Sequence, residues 1–128
     1  MDRFAELLDR LVLTPSRNAK LRLLVDYFST TPDPDRGLAL AALTGDLDIP
    51  GVKPAMLRTL VGERMDPVLF AYSYDYVGDL AETVSLVWPA PDEPPDGPSP
   101  RLSEAIEALM AAGRVRGGAV VAGLLDRL

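Results

Sequence analysis

Ser73-Tyr74-Asp75-Tyr76-Val77-Gly78-Asp79-Leu80-Ala81-Glu82-Thr83 joins two stretches of helical sequence through a single glycine. Gly78 stops the first stretch, and Asp79 with Glu82 three residues later is a capping-box start for the second. The pattern predicts short helices met end to end at sharp, capped turns. Free N–H groups at such a turn can hold an anion, and a residue without a side chain lets a ligand's backbone come close. Asp79 and Glu82, however, already occupy the positive end of the helix dipole and repel phosphate. Taken alone, Gly78 and Asp79 read as a structural turn. Any nucleic-acid contact there is expected to be close and backbone-like, toward the sugar edges of a minor groove.

Outward from this run, nearly every segment has helical spacing, and none alternates long enough for a strand. Toward the N-terminus, Phe4, Leu7, Leu8 and Leu11 make one apolar stripe, which Pro15 ends. Leu21, Leu24, Val25 and Phe28 make a second, on a helix capped by Thr14 or Ser16. Asp33 as N-cap with Pro34 at the first helical position announces a third helix, ending at Gly45. Pro54 opens a fourth carrying Met56, Leu57, Leu60 and Val61, and Asp66-Pro67 opens a fifth running from Val68 to about Tyr76. Leu80, Val84 and Val87 give the sixth its apolar face, and it stops at Trp88-Pro89. The expected class is all-α.

Residues 89–100 hold half of the chain's 12 prolines and are expected to form an acidic, extended linker between a helical region, 1–88, and further helices of the same domain, 101–128. An SH3-type ligand is disfavoured, because no basic residue orients the proline run before Arg101. Beyond the linker, Leu102, Ile106, Leu109 and Met110 mark one helix, and Gly117-Gly118 is expected to break it from a last one of Val120, Val121, Leu124, Leu125 and Leu128. The apolar ending suggests a domain truncated at its C-terminus, with an exposed patch near 102–128 and possible self-association of the fragment.

The chain has 128 residues, 48% of them hydrophobic, a mean hydropathy of +0.10, and neither Cys nor His. Disulfides, thiol nucleophiles, Ser-His-Asp chemistry and the usual zinc sites are thereby excluded. Asp46-Leu47-Asp48-Ile49-Pro50-Gly51 opens like a calcium loop but places Pro50 and Leu57 at ligand positions, so it reads as a turn. No stretch is long and apolar enough to span a bilayer, and charges at Asp2, Arg3, Glu6 and Asp9 do not fit a secretory signal. A cytoplasmic location without membrane partners is the expectation.

The net charge is −6, yet residues 1–64 hold nine basic and nine acidic side chains, whereas residues 65–128 hold four and ten. A polyanion site should therefore use the first half. Thr14-Pro15-Ser16-Arg17-Asn18-Ala19-Lys20-Leu21-Arg22 combines a helix N-terminus with three cations and has no acidic residue near it. Phosphate suits it. Its plainer reading is a capped surface helix with a solvated basic face.

In order, Phe4…Leu7-Leu8, Thr14-x-Ser16-x-x-x-Lys20, Tyr27-Phe28, Leu43-Thr44-Gly45, Leu69-Phe70, Ser73-Tyr74 and Val77-Gly78-Asp79-Leu80-Ala81-Glu82-Thr83 resemble the N-terminal DNA-binding domain of ATP-dependent DNA ligases, the bacterial branch above all. The likeness runs from residue 4 to about residue 88 and continues loosely beyond the linker. It implies an all-helical module gripping the minor-groove face of nicked double-stranded DNA. Ser16, Asn18 and Lys20 would touch phosphate, and Gly78 and Asp79 the minor groove. Arg17 and Arg22 join the first group on charge alone. The adenylated lysine of a Lys-x-Asp-Gly motif is missing, since Lys20 and Lys53 are the only lysines and neither stands in that motif. There is no phosphate-binding Gly-rich loop either, the nearest run being Gly113 to Gly118 without a following lysine. The expectation is a catalytically silent region, without cofactors of its own, serving a separate catalytic core that would use ATP and Mg. Two other classes compete: a helical protein-interaction module without nucleic-acid binding, and a small enzyme using Asp75 and Asp79 on one helical face if Gly78 leaves the helix unbroken.

Overall fold

The computed structural model describes residues 1–93 and 95–128, apart from the side chains of Arg114 and Val115. Every regular element among the described residues is a helix: α1 (Asp2–Leu13), α2 (Arg17–Thr30), α3 (Asp35–Thr44), α4 (Pro54–Gly62), α5 (Pro67–Val77), α6 (Leu80–Val87) and a long kinked α7 (Leu102–Leu125). None of them is long and apolar enough to cross a membrane. The chain divides into two compact units, residues 1–48 with 99–107, and residues 49–98 with 108–128.

The first unit is built on aromatic packing between α1 and α2. Phe4, Leu7, Tyr27, Ala39, Leu102 and Ile106 are its buried centre. The Phe4 and Tyr27 rings lie 5.9 Å apart and tilted, while Phe28 meets Tyr27 edge-on at 5.4 Å. This pair decides which face of α2 turns inward. The expected stripe is only half right: Leu24 and Phe28 pack against the core, but Leu21 and Val25 face solvent and Leu23 and Tyr27 replace them. Burying a ring the size of Tyr27 against another ring gains more than burying Val25, so the aromatic residue sets the helix rotation. Desolvation in this core pushes the Tyr27 phenol above its ordinary value, against the opposing effect of Thr31.

Helix α3 starts one residue later than its sequence signals. The Asp33 carboxylate is held by Arg36 at 2.6 Å and also faces the Gly37 N–H of the first turn, while Pro34 takes the N-cap position, its carbonyl accepting from the Leu38 N–H. Asp35, at the first position of α3, instead accepts from the Ser103 N–H at 3.0 Å and so closes the start of α7. Ser103, through its side chain first and its backbone second, holds the Asp35 carboxyl below the usual 3.8 against the opposing effect of desolvation.

In the second unit Val61 of α4, Phe70 of α5 and Val84 of α6 form the buried centre, with Met65, Leu80, Val87, Trp88 and Leu125 around it. Trp88, where α6 stops, donates its indole N–H to Asp126 at 2.9 Å, and Arg64 both covers the ring at 4.4 Å and reaches the same carboxylate at 3.3 Å. The break in α7 falls at Gly113, with φ 60° and ψ −162°, and the helix runs through Gly117 and Gly118. These two glycines serve close packing. A Cβ at Gly117 would stand 2.7 Å from the Gly51 carbonyl oxygen, a distance at which the backbone would have to move.

Among the described residues of 89–100 there is no helix, yet the segment is not wholly solvated. Pro100 is fully buried and its carbonyl accepts from the Met1 amino group at 2.7 Å. Within 102–128 most apolar side chains are buried or half-buried, and among the described residues only Met110 and Leu128 are large and exposed. The other large exposed apolar side chains lie on α1, α2, α3, α5 and α6.

The Asp35 contact makes a pH-dependent prediction. Its carboxyl is lowered in the folded state, so its contribution is present above the ordinary value of 3.8 and is lost as pH falls through the lower, folded value. In urea unfolding, Asp35→Ala should be less stable than wild type at neutral pH, and the gap should narrow in acid below about pH 4. A gap that stays constant down to about pH 2 would show that the charge of Asp35 contributes nothing.

Candidate nucleic-acid interface

Ser16, not Thr14, is the N-cap of α2, its hydroxyl accepting from the Ala19 N–H in a long contact of 3.4 Å. The Ser16 carbonyl takes the Lys20 N–H, and the N–H groups of Arg17 and Asn18 have no acceptor among the described residues. Ser16, Arg17, Asn18 and Arg22 are exposed and Lys20 is half-buried. Arg17, Lys20 and Arg22 form no ion pair among the described residues, in contrast to Arg10, Arg36, Arg64 and Arg101, each of which has a carboxylate partner. A helix start with two open donors therefore stands beside three uncommitted cations. This arrangement can bind an anionic oxygen without first breaking an internal salt bridge.

Gly78 adopts the left-handed conformation at φ 81° and closes α5, its N–H donating to the Tyr74 carbonyl at 2.8 Å. A Cβ added there would meet nothing within 4 Å, so the turn needs glycine for its backbone angle and leaves open space where a side chain would be. Asp79 is the N-cap of α6 and accepts the Glu82 N–H at 2.8 Å, while the Thr83 hydroxyl donates to the Asp79 carbonyl at 2.5 Å. The capping box is half made. Among the described residues the Glu82 carboxylate returns no bond to the Asp79 N–H, and both acids stay exposed. Because Gly78 ends α5, Asp75 and Asp79 belong to different elements and do not share a helical face.

The two groups of site residues fall in separate units, Ser16 to Arg22 in the first and Gly78-Asp79 in the second. Each is formed within its own unit. The second also holds a cation that the sequence reading passed over: Arg58 of α4 lies over the Tyr74 ring at 5.4 Å, and Tyr74 is the residue whose carbonyl receives the Gly78 N–H. Lys53, exposed at the N-cap of α4, is another. Spacing along the chain could not reveal Arg58, since it approaches from a different helix, and Lys53 was hidden in what reads as a loop. Among the described residues no group of three or more acidic side chains is arranged to hold a metal ion. Asp46 of the calcium-like run accepts from the Thr44 hydroxyl at 2.9 Å.

No protein-family model matches the chain, and no curated protein and no solved structure is significantly similar to it.

The geometry at Asp79 has a stability consequence. Asp79→Ala should destabilise the chain by about 1 kcal/mol through loss of the cap, and Gly78→Ala by about 1–2 kcal/mol through backbone strain alone. Urea midpoints followed through Trp88, the single tryptophan, would measure both. Unchanged midpoints in both variants would mean that the turn is not held as described.

Proposed function

We propose that this chain is the N-terminal DNA-binding region of an ATP-dependent DNA ligase, positioning nicked duplex DNA for a catalytic core that carries the adenylated lysine. Its role would be in nick sealing and DNA repair. The observation that carries the reading is the start of α2, where Arg17, Lys20 and Arg22 have no carboxylate partner and the Arg17 and Asn18 N–H groups are open. Phosphate contacts by such groups position a protein on a duplex without reading its sequence, as a nick-sealing enzyme requires. The exposed Gly78 turn supports the reading in a second way, through its open space and rigid capping on both sides. With Asp79 and Glu82 beside it, its contact is to sugar edges, and phosphate is left to the cations.

This division of labour makes the chain itself non-catalytic. It supplies no lysine in a Lys-x-Asp-Gly setting, and ATP and Mg belong to the catalytic core. With a net charge of −6 the isolated chain binds weakly and with strong salt dependence.

Fluorescence anisotropy of a labelled nicked duplex tests the proposal. Binding should be measurable at about 50 mM salt and fall with a log–log slope near three phosphate contacts, about 0.9 per contact, and Arg17→Ala/Lys20→Ala should lower that slope by about two contacts. No binding at low salt, or a slope untouched by the double substitution, would overturn it.

A further inference from the structure

The α5–α6 surface combines exposed apolar side chains with acidic ones and carries no cation of its own. Val68, Tyr72 and Tyr76 stand at i, i+4 and i+8, one line along the outside of α5, with Tyr72 71% and Tyr76 93% exposed. Tyr72 and Tyr76 join Leu86 of α6 in lining an apolar cleft. Asp75, Asp79 and Glu82 are its exposed neighbours on the same two helices, and the sequence from Met65 to Pro100 contains no Lys or Arg. Scattered apolar residues on a surface are ordinary, but two exposed tyrosines in line beside an apolar cleft have the composition of an interface core.

The matching surface is on the same chain. Arg17, Leu21 and Val25 form the corresponding i, i+4, i+8 line on the outside of α2, Arg22 lies next to it, and Val25 is 64% exposed. This is an amphipathic stripe turned outward because Tyr27 and Leu24 hold the opposite face in the core. Its two arginines have no acidic partner among the described residues, as the acids beside the cleft have no basic one.

We propose that the outward face of α2 in one copy docks into the α5–α6 cleft of a second copy. Leu21 and Val25 enter between Tyr72, Tyr76 and Leu86, and Arg17 and Arg22 meet Asp75 and Glu82. The tyrosine rings also offer faces for the guanidinium groups. Complementary charge selects the pairing and sets its register, and apolar burial supplies the attraction. The contact is heterologous, so a bound pair keeps one free face of each kind and association continues beyond the dimer. It does not rest on nucleic-acid binding, and its test contains no DNA.

Sedimentation velocity on three proteins decides it: wild type, Tyr72→Ser/Tyr76→Ser, and Leu21→Ser/Val25→Ser, with circular dichroism to check helicity. Wild-type mass should rise with concentration and fall back as salt goes from about 0.05 M to about 0.5 M. Each variant alone should stay monomeric. An equimolar mixture of the two, each supplying one intact face, should approach about twice the monomer mass and grow no further. A wild type that remains monomeric at all concentrations, a variant that associates as wild type does, or a mixture that stays monomeric overturns the proposal. If a serine variant loses helicity, Arg17→Ser/Arg22→Ser and Asp75→Ser/Glu82→Ser repeat the mixing with the apolar residues intact, and the same dimer is expected.

Discussion

The turn at Gly78-Asp79 is the constraint on which the second unit depends. Helices of eight to eleven residues are marginal by themselves, and α5 and α6 are of this length. They are stabilised by packing of Phe70 and Val84, which the chain brings into one cluster across a turn of two residues. Gly78 supplies the left-handed angle and Asp79 the cap. Without both, the two apolar faces could not meet over Val61. The carboxylate that makes the turn possible also sets its chemistry, because a capped helix start with an acid on it is closed to phosphate and open only to uncharged, close-fitting contact.

The start of α2 shows the opposite arrangement. Ser16 caps with a neutral hydroxyl at long distance, so the dipole of α2 is left uncompensated and meets cations instead of acids. Lys20 and Arg17 in the first turn oppose the helix dipole, a cost to local stability of a few tenths of a kcal/mol each. An arrangement that is unfavourable for the free helix becomes favourable when an anion arrives, and for this reason the phosphate contacts are proposed at the α2 start.

Much of the architecture was legible in the sequence because it is written in caps. Asp66-Pro67, Pro54, Gly45, Gly78 and Asp79 each mark a helix end where the structure has one, since each acts through bonds to residues two to four positions away. What could not be read depends on partners distant in the chain. The rotation of α2 follows from Phe4 packing on Tyr27. Gly117-Gly118 looked like a break and is a packing site, Gly117 against Gly51 and Gly118 against Met56 and Leu60, and the Asp35 cap on Ser103 spans 68 positions. The site divides in the same manner. The caps at Ser16, Gly78 and Asp79 and the charges of Arg17, Lys20 and Arg22 were visible, whereas the placing of Arg58 over Tyr74, the rotation that exposes Leu21 and Val25, and the separation of the two clusters into different units were not.

The central claim is that duplex DNA is met by cations at one helix start and by a bare turn at another. Residue-resolved amide shifts during titration with a nicked duplex address it most directly. The account predicts the largest changes at residues 16–22 and 78–81, with the first group fading as salt rises and the second less sensitive to it. Shifts absent from both groups, or spread evenly over the surface, would contradict it.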